Sequence, residues 1–256
     1  MERRRLGSSA IDVSAIGFGT MMFGAWGNPD FNECRRMVDI ALDAGITLFD
    51  TADIYDSGAS EEILGEALRG RRDRVVLATK FGNPMDDDPM HRGGSRRWVR
   101  EAVTGSLRRL GTDYIDIYQL HRPDPDVPCE ETLGALDELV DAGLVRAVGT
   151  SCFPAEQLVE AQWTAERRGF VRPVSEQPPY SMLCRGAERA VLPTCRRHRI
   201  GAVVWAPLNG GWLTGKYRRG QLPPPASRAE REPTHFDHGG DWRDTARTAL
   251  PASEAE

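Results

Sequence analysis

Short apolar, β-branched runs recur along this chain at intervals close to thirty residues, and this spacing constrains the fold more than any other feature. The runs cover residues 13–17, 47–50, 75–79, 115–121, 145–151, 173–177 and 202–205, and from position 47 onward their starts fall 28, 40, 30, 28 and 29 residues apart. Helical patterns fill the intervals. Cys34, Met37, Val38, Ala41 and Leu42 repeat with helical spacing up to Gly45, and Trp98, Ala102, Val103, Leu107 and Leu110 do so up to Gly111. Leu133, Leu136, Leu139 and Val140 end at Gly143. Ser60 stands as the expected N-cap before Glu61 and Glu62, ahead of Ile63, Leu64, Ala67 and Leu68, with Gly70 closing that helix. Strand–helix–strand units of this length predict parallel strands joined by right-handed crossovers. Nearly continuous apolar runs predict strands covered on both faces.

Two architectures satisfy that pattern: a doubly wound sheet and a (β/α)8 barrel. The doubly wound nucleotide-binding fold is expected to carry G-x-G-x-x-G after a strand, yet Gly17-Phe18-Gly19 is followed by Met22 where the third glycine belongs. The barrel is therefore the expected fold, with residues 1–217 as its single domain. Only seven strand runs are recognisable, because 217–256 holds no Val or Ile and includes Pro223, Pro224 and Pro225. An irregular tail is expected over 218–256. A barrel lacking its eighth strand would keep an open seam, and a truncated product or a dimer covering the seam is the corresponding expectation.

Composition narrows the function classes. A net charge of −5 with interspersed signs carries no basic footprint for nucleic acid. No apolar stretch follows the N-terminus or approaches a bilayer span, so a cytoplasmic protein without membrane contact is expected. The five cysteines (Cys34, Cys129, Cys152, Cys184 and Cys195) form no CxxC pair and suggest neither a disulfide framework nor a zinc site. Of 33 basic residues, all but Lys80 and Lys216 are arginine. A position that keeps lysine in such a sequence is a candidate for needing a compact ammonium.

In parallel α/β folds, functional groups gather at the C-terminal ends of strands. Here those ends carry Asp50, Lys80, His121, Ser151, Gln177 and Trp205. Each has an ordinary structural explanation taken singly, and their joint placement on one rim makes the case. Asp50, Tyr55, Lys80 and His121 form a usable acid–base set. A carbonyl that accepts hydride needs a proton at its oxygen, and a tyrosine with an ordinary pKa of ~10 is a poor partner near neutrality. Lys80 is expected to stabilise the tyrosinate and lower that value, with Asp50 holding the ammonium and His121 donating a hydrogen bond to the carbonyl oxygen. No metal is needed for this chemistry.

Three segments carry a resemblance to a known family. Phe49-Asp50-Thr51-Ala52-Asp53-Ile54-Tyr55, Ala78-Thr79-Lys80-Phe81-Gly82 and Asp116-Ile117-Tyr118-Gln119-Leu120-His121 resemble, in order and spacing, the aldo-keto reductase segments that supply the catalytic Asp, Tyr, Lys and His. The resemblance runs from Arg5 to about Tyr217 and is strongest toward the branch of bacterial reductases and potassium-channel β-subunits. It implies a (β/α)8 barrel and an NADP-dependent reductase of aldehydes or ketones, with NADH left open as cofactor. Carried onto this sequence, Gly19, Thr20 and Asp50 should line the cofactor's path. Ser151 and Gln177 should hold its carboxamide, and Trp205 should stack on its ring. Pro207, Leu208, Gly211, Leu213 and Lys216 should follow it along the next loop. Cys152 stands where many relatives carry Asn, and Ala206 where Ser is usual. Met21, Met22, Phe23 and Trp26 are candidate apolar walls for a substrate.

Gly210-Gly211-Trp212-Leu213-Thr214-Gly215-Lys216-Tyr217 nearly matches the phosphate-binding G-x-x-x-x-G-K-[ST] loop, but Tyr217 replaces the hydroxyl residue and no helical pattern follows. The family resemblance instead gives Lys216 a place facing the cofactor's phosphates. A cofactor-binding regulatory protein or an inactive remnant stands as the alternative to the enzyme, and cofactor titration separates them. Oligomerisation is left open.

Overall fold

A computed structural model describes residues 1–217, 222–225 and 227–231. Its centre is a seven-stranded, all-parallel sheet in sequential order, curled into a partial (β/α)8 barrel. The strands are β3 (Gly17–Gly19), β4 (Leu48–Asp50), β5 (Val76–Phe81), β6 (Ile115–Leu120), β7 (Val145–Ser151), β8 (Ser175–Gln177) and β9 (Gly201–Ala202). Helices α1 (Phe31–Asp43), α2 (Ala59–Ala67), α3 (Arg96–Leu110), α4 (Cys129–Asp141), α5 (Ala155–Arg168) and α6 (Val191–His198) cover it. They start and stop on local chemistry. The Asp30 carboxylate accepts from the Asn32 and Glu33 amides and caps α1, Ser95 caps α3, and Gly111 ends α3 in the left-handed region. No helix among the described residues is long and apolar enough to cross a membrane.

The first expected strand, 13–17, is in fact divided. An antiparallel hairpin of β1 (Arg3–Arg5) and β2 (Asp12–Ser14) precedes the barrel, and the sheet's own first strand begins only at Gly17. The chain breaks at Ser14 because the Ser14 hydroxyl accepts from the Thr47 and Leu48 amides at 2.9 and 3.2 Å, occupying the start of β4. Leu6 and Val13 from the hairpin join Leu48, Ala78, Ile117, Ala147 and Val174 in one buried cluster, so the hairpin closes the N-terminal end of the half-barrel. A larger cluster, with Phe49, Leu77, Tyr118 and Val148 among its strand residues, packs against the helices.

The helix-cap expectation at Ser60 is also corrected. Gly58, at φ 97°, caps α2, and Ser60 lies fully buried within it. Its hydroxyl donates to the Thr20 carbonyl at 2.7 Å and lies within hydrogen-bond reach of the Thr20 and Thr51 hydroxyls, which pins the loops after β3 and β4 to each other. The expectation of a missing eighth strand, and most of the irregular tail expected over 218–256, fall outside the described residues. Within that stretch one helical turn, α7 (Arg228–Arg231), is described.

At the N-terminal end of β6, Asp116 ties three strands together. Its carboxylate accepts from the Leu77 amide (2.9 Å), from Arg72 (2.7 Å) and from Arg146 (2.9 Å), and both guanidiniums lie over the Tyr114 ring at 4.2 and 3.8 Å. Removing this buried acceptor leaves the Leu77 amide without its partner and takes the counter-charge from Arg72, which keeps only its neutral acceptors Thr112, Val75 and Tyr114. Asp116→Ala is expected to lower unfolding stability by about 3 kcal/mol in denaturant titration, and a loss below about 1 kcal/mol would show that the network is dispensable.

Candidate active site

The C-terminal rim brings the four expected acid–base residues together. Asp50 ends β4, Lys80 is the penultimate residue of β5, and His121 follows β6 directly, its amide held by the Phe81 carbonyl at 2.8 Å. Tyr55 opens a short 3₁₀ turn (Tyr55–Gly58) in which Asp56 and Ser57 take left-handed dihedrals, at φ 50° and 53°. That strained turn is tied to the loop after β3, where the Ala25 amide donates to the Asp56 carboxylate at 2.6 Å. The same tie sets the Trp26 ring 6.4 Å from the Tyr55 ring.

Lys80 is the hub. Its ammonium donates to Asp50 Oδ2 and the Thr51 carbonyl, each at 2.7 Å, and to the Tyr55 hydroxyl at 3.3 Å, with the side chain almost wholly buried. Burial alone pushes the Lys80 ammonium toward neutrality, but Asp50 and Tyr55 more than offset this and hold it above its ordinary value. His121 sits edge-on to Tyr55, with ring centroids 5.8 Å apart. Burial, then the charges of Lys80 and Arg122, push its imidazole down to about 3, so it is neutral near pH 7. Asn83, which the sequence did not single out, lies 3.3 Å from His121 Nδ1 through its amide nitrogen. With Nδ1 accepting from Asn83, the imidazole proton sits on Nε2.

One expectation about Tyr55 is overturned. Lys80 does pull the phenol toward ionisation, but burial is the larger influence and Asp50 adds to it, so the hydroxyl is held above its ordinary value. The Tyr55 phenol is accordingly protonated near neutrality. Phe23 is also not a substrate wall. It is 2% exposed and packs against Phe18 in the core, whereas Trp26 is exposed and Met21 and Met22 are half-buried.

The expected cofactor residues divide into groups. Gly19 is exposed at the end of β3, while the Thr20 hydroxyl is committed to the Asp50 carbonyl and Ser60. Ser151 and Gln177, paired across β7 and β8, are joined by a 3.0 Å hydrogen bond from the Ser151 hydroxyl to the Gln177 carbonyl. Trp205 lies beyond β9 in a bridge to Pro179; the residue is 39% exposed, and the Arg122 guanidinium lies 6.0 Å from its ring centre. Pro207 and Leu208 are exposed and lead into a 3₁₀ segment (Asn209–Thr214), where Gly210 and Gly211 take left-handed dihedrals. A Cβ at Gly211 would lie 2.8 Å from Lys216 Cε, so the glycine lets the lysine fold back over the loop. Gly211, Leu213 and Lys216 share this loop and make no hydrogen bond or ion pair to the Lys80 group among the described residues. The 3₁₀ geometry differs from the strand-to-α-helix passage that a phosphate-binding P-loop requires.

Behind Lys80 lies a second acidic layer. Glu61 is fully buried, accepting from Thr79 at 2.5 Å and from Arg109 at 2.7 Å. Asp53 is 1% exposed, neither of its carboxylate oxygens accepts a hydrogen bond of good geometry, and burial, then Glu61, push it up to about 8. A carboxyl raised in the folded state contributes stability that is complete below its unfolded pKa and is lost as pH rises toward 8. Asp53→Asn should remove that loss: unfolding titrations near pH 8.5 should find the variant more stable than wild type by about 3 kcal/mol, with the difference fading toward pH 4. Parallel stability profiles would contradict the assignment.

The profile of the aldo/keto reductase family matches residues 15–254, continuing past Tyr217 through the segment where no further strand was expected. The chain is 40% identical over 233 residues to a probable voltage-gated potassium channel subunit beta of Arabidopsis thaliana, covering 87% of this chain and 69% of that one. It is 41% identical over 220 residues to the aldo-keto reductase YhdN of Bacillus subtilis, covering 84% and 65%. It is 36% identical over 235 residues to a putative aryl-alcohol dehydrogenase, AAD16, of Saccharomyces cerevisiae, covering 82% and 68%. The chain thus spans about two thirds of the length of these relatives. With the profile matched across nearly the whole sequence, the chain belongs to the aldo/keto reductase family, a family of oxidoreductases.

Proposed function

We propose that this chain reduces the carbonyl group of an aldehyde or ketone with a nicotinamide cofactor, NADPH by family inheritance, and that Tyr55 is the proton donor. The observation that carries the proposal is the Lys80 ammonium, nearly excluded from water and bridging Asp50 and the Tyr55 hydroxyl beside a neutral His121.

The rim residues fit such a cofactor. Asp50 Oδ1 and the Asn209 side-chain amide nitrogen are buried without hydrogen-bond partners among the described residues, and Trp205 is exposed. Ser151 and Gln177 would hold the carboxamide, Trp205 would stack on the ring, and Lys216 would face the phosphates. When bound, a reduced nicotinamide supplies hydride to the carbonyl carbon. The chain's own residues deal with the oxygen. His121 donates a hydrogen bond to it from Nε2 and orients it. Tyr55 keeps its proton until negative charge develops on that oxygen, then delivers it. Lys80 stabilises the resulting tyrosinate, and solvent reprotonates it. Asp50 fixes the ammonium and keeps it charged.

Aldehyde-dependent oxidation of NADPH by the purified chain, with 4-nitrobenzaldehyde as a reactive probe, tests the proposal, and a parallel run with NADH decides the cofactor. The 40% identity to a probable channel β-subunit supports a second reading, a cofactor-binding subunit. Tryptophan quenching by NADPH without any aldehyde-dependent oxidation between about pH 5 and 9 would favour that subunit and sink the reductase.

A further inference from the structure

Glu176 is a buried carboxylate that no step above uses. It lies in β8 between Ser175 and Gln177, paired in register with Thr150, and is 0% exposed. Oε2 accepts from the Thr150 hydroxyl at 2.5 Å, and Oε1 accepts from the Phe153 amide at 3.1 Å. Between those anchors the chain makes a tight turn, with Cys152 in the left-handed region at φ 59°. The Ser151 hydroxyl and the Cys152 amide both donate to the Gln177 carbonyl, at 3.0 and 3.2 Å. The carboxylate therefore grips both ends of a strained turn that carries Ser151, and it neighbours Gln177 in the chain.

We infer that Glu176 is the positioning residue of the Ser151–Phe153 turn, and that its charge makes the site distinguish oxidised from reduced nicotinamide. This rests on the proposed role of Ser151 and Gln177 toward the carboxamide. The oxidised ring is a cation and the reduced ring is neutral, so an ionised carboxylate beneath the turn favours the oxidised form and is nearly indifferent to the reduced one.

The hydrogen-bond network tolerates both charge states of Glu176. When Glu176 is ionised, Thr150 donates to it. When it is protonated, Oε2 donates to Thr150, whose own hydrogen can turn to the Ser175 carbonyl, 3.4 Å away. Burial pushes the carboxyl up to about 7, against the opposing pull of Thr150, backbone amides and Arg122. The charge thus changes near neutrality while the turn stays held. The other titratable groups facing it are Arg122, in the loop after β6, and the buried thiol of Cys195 on α6, pushed up to about 12 by burial and then by Glu176 itself.

Two substitutions separate position from charge. Glu176→Gln reproduces the protonated state: its carbonyl accepts from Phe153 and its amide donates to Thr150. Glu176→Ala removes the grip as well. Binding of NADP⁺ and NADPH is followed by tryptophan quenching from about pH 6 to 8.5. In wild type the affinity for NADP⁺ should rise roughly tenfold across this range relative to Glu176→Gln, with NADPH affinity alike in the two. Glu176→Ala should bind both forms at least about tenfold more weakly. Superimposable NADP⁺ profiles for wild type and Glu176→Gln would overturn the charge effect, and Glu176→Ala binding both forms as wild type does would overturn the positioning role. If Glu176→Ala does not fold, the Glu176→Gln profile still decides. Absence of quenching in wild type by either form would instead remove the cofactor-binding proposal itself.

Discussion

Lys80→Met is expected to lower turnover at saturating cofactor by about 1,000-fold or more, close to the full contribution of positioned acid–base catalysis. Among the described residues the ammonium is the one group hydrogen-bonded to both the Asp50 carboxylate and the Tyr55 hydroxyl, and Lys80 is 1% exposed. Without it, proton delivery from Tyr55 leaves an uncompensated buried tyrosinate, while the Asp50 carboxylate loses its counter-charge. Lys80→Arg should fail to rescue. A guanidinium is planar and bulkier, and it cannot present a point charge to Asp50, Thr51 and Tyr55 from one atom. Steady-state rates for both variants, with cofactor affinity measured alongside, check this. Turnover of either variant within about tenfold of wild type would show that Lys80 is structural.

Tyr55→Phe should cost a comparable factor, between about 100- and 10,000-fold in turnover, with cofactor affinity changed less than about threefold. The substitution removes one oxygen atom and leaves the ring's contacts with Trp26 and His121 in place. It also spares the Lys80–Asp50 pair, so the loss isolates the proton donor. Burial holds the Tyr55 hydroxyl above its ordinary value and keeps it protonated across the neutral range, and His121, pushed down to about 3, stays neutral there. The wild-type rate is therefore expected to be nearly flat between about pH 5 and 8. A midpoint near 6.5 that persists in Glu176→Gln, where the charge change of Glu176 near 7 is removed, would instead identify His121 as a titrating acid.

Much of the rim was legible because strand ends carry their chemistry in fixed order. Asp50, Lys80 and His121 could be placed from the spacing of apolar runs alone, and their convergence follows from the parallel register of β4, β5 and β6. The rarity of lysine pointed to Lys80 independently. What escaped depends on contacts distant in sequence. The break at Ser14 arises from hydrogen bonds to Thr47 and Leu48, and nothing local to 13–17 announces it. Ser60 looked like a cap because it precedes two glutamates, yet its partners are Thr20 and Thr51 on other loops.

Buried carboxylates are the hardest feature to read from a sequence, since Asp53, Glu61 and Glu176 have the letters of a solvated surface. Glu61 finds Arg109 some 48 positions away, and Glu176 finds Thr150 at 26. The sign of the Tyr55 shift escaped for the same reason. A neighbouring ammonium can be inferred from sequence, but the degree of burial that outweighs it cannot. Asn83, which fixes the His121 tautomer, follows Lys80 by three positions in a loop whose direction only the fold sets.

The central claim is that hydride reaches a carbonyl carbon at this rim. It is tested most directly by incubating the chain with an aromatic aldehyde and NADPH carrying deuterium at the transferred position, then weighing the alcohol by mass spectrometry. One deuterium on the carbinol carbon, formed at least about 100-fold more slowly by Tyr55→Phe, is the predicted result. Unlabelled alcohol, or labelled alcohol formed equally fast by both proteins, would contradict it.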